Sequence, residues 1–128
     1  ADAFWASFRP AKPFIVGLNC ALGPKQMRPF IERFATVADC FVSCYPNAGL
    51  PNAMGGYDLE PAEMAEQIAE FADAGFLNLV GGCCGTTNHH IQAIAAAVRD
   101  KPPRKRPAPS PHTLLSGMEE LTLSDQIN

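Results

Sequence analysis

The sequence predicts an α/β fold in which three strand–helix units build a parallel sheet. Short apolar runs alternate with amphipathic helical segments, and the runs are apolar throughout rather than at every second residue, as in strands packed under helices. Taken in order, residues 2–9 place Phe4, Trp5 and Phe8 at helical spacing and stop near Pro10. PFIVGLN (13–19) is a β-branched run that predicts a buried strand. In 23–39, Met27, Phe30, Ile31, Phe34 and Val37 recur at three- and four-residue steps, an amphipathic helix in which Pro29 must lie in the first turn or form a kink. CFVSCYP (40–46) predicts a second strand, and the Gly/Pro/Asn-rich stretch 47–60 a long loop of the kind that usually carries function. Residues 61–75 open on a proline suited to a first helical turn and close on a glycine cap. FLNLVGG (76–82) is a third strand, and 88–99 a last helix with Ile91, Ile94, Ala95 and Val98 on one face.

From Asp100 the periodicity stops. Residues 1–100 therefore form the folded unit, and 101–128 are expected to be a proline-rich interdomain linker, with the basic cluster Lys101 to Arg106 solvated. Three strand–helix units cannot close a barrel, and with helices on one side only they leave a large apolar sheet face and two edges bare. The segment is accordingly expected to be part of a longer polypeptide and inactive alone.

Composition narrows the function classes. With 128 residues, 47% hydrophobic and 18% charged, and a formal net charge of −3, the chain suits a globular domain and lacks the concentrated basic face of nucleic-acid binders. No apolar run suits a membrane helix, and the N-terminus lacks the order of a secretion signal, so a cytoplasmic, reducing environment is expected. Cysteines stand at 20, 40, 44, 83 and 84, an odd number with an adjacent pair, which argues against a disulfide framework.

In parallel α/β folds, reactive groups gather at the C-terminal ends of strands. Cys20 directly follows the first strand, Asn47 opens the loop after the second, and Cys83 and Cys84 follow the third. A metal site is one use for these thiols, since zinc prefers thiolate and a catalytic site has three protein ligands and an open position. Burial as small apolar groups is the other; that reading is taken for Cys40 and Cys44, while the residues alone leave Cys83 and Cys84 open. Thr86 or Thr87 can cap the last helix, whose dipole favours nearby thiolates. His89 and His90, in a first helical turn, are read as exposed rather than as ligands.

The motifs GLNCALGP (17–24), PNAGLPN (46–52) and GGCCGTT (81–87), in this order and at these strand ends, resemble those of the zinc-dependent homocysteine S-methyltransferases. In wording they are most similar to the homocysteine-binding domain of the cobalamin-dependent methionine synthases, and LLSGMEEL (114–121) resembles that family's passage toward a folate-binding domain. The resemblance implies the C-terminal three βα units of a (β/α)₈ TIM barrel, Zn²⁺ held by Cys20, Cys83 and Cys84, and methyl transfer to homocysteine giving methionine. It further implies methylcobalamin, bound by another domain, as the donor; the preceding barrel strands and the downstream folate and cobalamin domains are the expected partners in the same polypeptide. Asn19 and Asn47 are candidate substrate contacts. The chain departs from the pattern at Asn88, where the family usually has proline, and at Tyr45, where some relatives have histidine. Betaine or S-methylmethionine as donor, and a non-catalytic zinc or redox thiol module, are the competing readings.

Overall fold

The computed structural model describes residues 1–125. Helix α1 (Asp2–Phe8) leads through a short 3₁₀ turn (Arg9–Ala11) into β1 (Ile15–Asn19), followed by α2 (Pro24–Val37), β2 (Phe41–Tyr45), α3 (Pro61–Asp73), β3 (Leu79–Val80) and α4 (Asn88–Val98). The strands form a parallel sheet in the order β1-β2-β3, with Ile15, Gly17 and Asn19 opposite Phe41, Ser43 and Tyr45, and Ser43 opposite Leu79. The predicted mixed α/β fold with a parallel sheet is thus present, and each predicted strand and helix is found, with β3 shorter than its apolar run.

Burial alternates along β2, where Val42 and Cys44 are buried and Phe41, Ser43 and Tyr45 are not. The buried side meets the helices in two clusters. Met27, Ile31, Cys44, Met64, Ile68, Phe71, Leu77 and Ile94 form one, and Trp5, Val16, Phe34, Ala38, Cys40 and Val42 the other. Two-sided burial, which uniformly apolar runs suggest, is therefore not seen here. The opposite face carries Ile15, Gly17, Asn19, Phe41, Ser43, Tyr45 and Leu79, so it is apolar at Ile15, Phe41 and Leu79 and polar only toward the C-terminal ends of β1 and β2.

Helix ends follow local chemistry. Pro61 occupies the first turn of α3, and Gly75 ends it at φ +76°, which lets Phe76 N–H reach Phe71 O at 3.0 Å. Because α2 starts at Pro24, Pro29 falls in its second turn, and the helix continues through it. Thr87 caps α4 as one of the two expected threonines.

The segment after α4 differs from a solvated linker. Arg104 is only 4% exposed, and its guanidinium donates to Ala35 O at 3.0 Å, Cys40 O at 2.9 Å and Ala38 O. Its own backbone pairs with Leu77 O at 2.8 Å and with the Asn78 amide at 2.8 Å. A single arginine thereby satisfies carbonyls left over at the C-terminal end of α2, a role that charge counting does not reveal. Beyond it, β4 (Thr113–Ser116) and β5 (Glu120–Leu123) form an antiparallel hairpin. The hairpin docks on α1 through Ser116 Oγ, which donates to Ala3 O at 2.7 Å. No helix among the described residues is long and apolar enough to cross a membrane.

Candidate metal centre

Two strand ends bring distant cysteines together. Cys20 leaves β1 with its N–H still on the sheet, bonded to Tyr45 O at 2.9 Å, and then takes a left-handed turn with φ +61° at both Cys20 and Ala21. Such conformations are unfavourable for residues with a Cβ and persist only where surroundings impose them. Here Leu22 O accepts Asn47 N–H at 2.9 Å, tying the turn to the start of the next loop.

Past β3, Cys83 N–H bonds to Pro46 O at 2.8 Å and Cys84 O accepts Ala48 N–H at 2.9 Å, so the cysteine pair is stitched to the β2 end on both sides. Gly85 follows at φ +77°, and a Cβ there would lie 2.3 Å from Tyr57 Cβ. Only glycine meets both demands. Thr86 closes the turn, its hydroxyl donating to Cys83 O at 2.6 Å.

The three Sγ atoms of Cys20, Cys83 and Cys84 lie within 4.8 Å of one another, with Cys20 to Cys84 at 3.5 Å and Cys83 to Cys84 at 4.0 Å. Zinc–thiolate bonds of about 2.3 Å at a tetrahedral centre require sulfurs roughly 3.8 Å apart. The trio fits such an ion, and as soft donors the thiolates favour zinc over hard cations. The sequence left Cys83 and Cys84 open between burial and metal binding. The fold separates them from Cys40 and Cys44, which are buried as expected, with burial pushing the Cys44 thiol up to about 12.

The Ala21 N–H and hydrogen bonds from Cys84 and Cys83 draw the Cys20 thiol below its ordinary value. Cys84 moves the other way, because its proton is shared with Cys20 and a second bond links it to Cys83. Cys20 is therefore a readier thiolate than Cys84. All three cysteines are at least partly exposed, as an open site requires.

The two asparagines differ. Asn47 is 2% exposed, and its Oδ1 accepts the Cys84 N–H at 3.1 Å. Asn19 is exposed and borders a cavity that also touches Tyr45 and Cys83. His89 is exposed as expected, but His90 is buried, contrary to the first-turn reading. Its Nδ1 accepts Thr87 N–H at 3.1 Å, which puts the ring proton on Nε2, donated to Leu59 O at 2.7 Å. His90 is thus a pin between α4 and the 47–60 loop and has no place among the metal-ligating groups.

Sequence reasoning did not single out Tyr57, whose phenol is pushed up by burial and then by the negative sulfurs of the trio. Its only sequence signal is the loop that carries it. In comparison with protein families, residues 1–98 match the model described as homocysteine S-methyltransferase.

Proposed function

This chain belongs to the homocysteine S-methyltransferase family, and from that premise we propose that it carries the zinc-ligand part of an active site that transfers a methyl group to homocysteine, giving methionine. The observation that carries the proposal is the convergence of Cys20, Cys83 and Cys84 from two strand ends into one sulfur trio. Zinc bound by these three would supply Lewis acidity at an open fourth position, lowering the pKa of a substrate thiol so that its sulfur is nucleophilic at neutral pH.

The chain's own residues prepare that site. The Cys20–Ala21 turn aims one thiolate, and its Ala21 N–H favours the ionised form of Cys20. Asn47 holds the Cys84 backbone, so it acts on the substrate by fixing a ligand, while Asn19, at the cavity edge, is the contact we assign to the substrate itself. The N-terminal turn of α4 beyond Thr87 adds partial positive charge near the thiolates.

We further propose that β1 to β3 are the last three strands of a (β/α)₈ barrel, whose remaining strands would cover the face bearing Gly17, Ser43 and Tyr45. Residues 1–100 belong to that barrel and 101–128 connect it to domains carrying folate and cobalamin, with methylcobalamin as the immediate donor. The wording of GLNCALGP and NAGLPN supports the cobalamin branch over betaine or S-methylmethionine.

Methionine formation by the intact protein, with methylcobalamin, betaine and S-methylmethionine offered in turn, tests the proposal. We expect turnover with the cobalamin donor, and loss of both zinc and turnover in Cys20→Ser, Cys83→Ser and Cys84→Ser. Zinc bound at full stoichiometry in all three variants would overturn the ligand assignment. Zinc binding without methyl transfer from any donor would instead favour a non-catalytic thiol module.

A further inference from the structure

We infer that the chain carries a second binding site, for a small organic phosphate, in a basic cavity at the N-terminal ends of β1 and β2. The site is independent of the sulfur trio, which lies past the other end of the five-residue β1, about 17 Å away at the usual rise of a strand. The cavity measures about 760 Å³ and is bounded by the end of α1, the approach to β1, the turn between α2 and β2, and the stretch from Arg106 into β4. Ala6 and Cys40 in its lining are buried, and Cys40 belongs with Trp5 and Phe34 to the core under the helices. The cavity is therefore built on the helix side of the sheet, and not on the face that further barrel strands would cover.

The chain as a whole carries a formal charge of −3, yet here the sign inverts. Arg9, Lys12 and Arg106 line the cavity against one carboxylate, Asp39. Among the described residues no salt bridge engages any of these four, so the cations are not neutralised within the chain. Arg9 does donate, but to the neutral carbonyls of His112, at 3.1 Å, and Ser110, which fixes its guanidinium on the wall and leaves its charge uncompensated. Arg106 lies over the Phe41 ring, 4.6 Å from its centre, and Phe41 meets Phe14 edge-on at 5.1 Å. A guanidinium stacked by its face keeps its N–H edge free. Lys12 is tied to Arg9 by its N–H, 2.9 Å from Arg9 O in a left-handed turn at φ +51°, so the two cations enter the lining together. Gathering like charges is unfavourable until an anion joins them, and two planar forks with one ammonium are a donor set suited to phosphate. The rest of the wall is largely apolar, with Pro13, Pro109, Leu114 and a Phe14 that is 77% exposed. Bare phosphate would leave that wall and most of the volume unused, whereas an organic phosphate can pack a flat body on Phe14.

Calorimetric titration of the intact protein at about 0.15 M salt, where diffuse attraction is largely screened, tests the site with ATP, pyrophosphate and adenosine as probes. ATP should bind, pyrophosphate more weakly, and adenosine without measurable heat. Lys12→Gln and Arg106→Gln should each weaken ATP about tenfold, as loss of one charge-assisted contact requires. Lys105→Gln, next in sequence but outside the lining, should leave ATP affinity unchanged. All three variants should keep the thermal midpoint and zinc content of the unsubstituted protein, since these side chains are exposed and far from the trio. No ATP binding, affinity unaffected by either lining substitution, or an equal loss in Lys105→Gln overturns the site. Pyrophosphate or adenosine binding as tightly as ATP overturns the assignment to an organic phosphate. The titration reads no methyl transfer, so its result stands whether or not the trio activates a thiol.

Discussion

Cys20 and Cys44 carry the same thiol and end in opposite states, because one lies in a turn that directs an N–H at its sulfur and the other sits against Met27 in the core. Burial raises the Cys44 thiol from 9.0 to about 12 in the folded protein. A raised folded value means that its stabilising contribution is complete below pH 9.0 and is lost as pH climbs from 9.0 toward about 12. Thermal unfolding followed against pH should show a decline in that window that Cys44→Ala does not share; an unchanged decline in the variant would assign it to other groups. Alkylation of the metal-free native protein should modify Cys20, Cys83 and Cys84 and spare Cys40 and Cys44, read by peptide mass. At Gly85, alanine meets both a left-handed backbone and the Tyr57 side chain. Gly85→Ala should therefore cost about 2 kcal/mol or more of stability and reduce metal retention, whereas Gly55→Ala, at φ +78° with no atom within 4 Å, should cost only about 1 kcal/mol and leave the metal bound.

At the scale of elements, what was legible in the sequence was periodicity and punctuation. Met27, Ile31 and Phe34 mark the buried side of α2, and Pro61 and Gly75 bracket α3, since these signals act within a few residues. Phe30 shares the spacing yet is 45% exposed, because a period identifies a stripe and not its margin. The hairpin of β4 and β5 was not legible: Leu114 packs inward while Leu115, Leu121 and Leu123 stay outside, so alternation competes with a scatter of apolar residues on the wrong face. Arg104 was equally hidden, since a charge in a proline-rich stretch reads as solvated until the fold offers it three carbonyls. Arg104→Ala leaves those carbonyls in a dry pocket and should cost about 3 kcal/mol by denaturant unfolding. Arg104→Lys, which cannot reach three acceptors at once, should recover only a fraction. Full recovery would mean that charge alone, and not the fork of donors, holds the segment.

For the whole molecule, the site depends on topology in a way that spacing could not disclose. Cys20 precedes Cys83 by about half of the chain, and only the parallel order of β1, β2 and β3 brings their sulfurs together. The motifs carried the resemblance and the family match confirms it over residues 1–98, while the buried Asn47 oxygen and the His90 pin needed coordinates, because both are choices between solvent and a specific backbone group. The central claim is that the trio binds zinc and leaves one position for the substrate sulfur. X-ray absorption at the zinc edge of the intact protein, with and without homocysteine, tests it most directly. The account predicts three sulfurs and one lighter atom around zinc, changing to four sulfurs when homocysteine is added. A sulfur count that homocysteine leaves unchanged would contradict it.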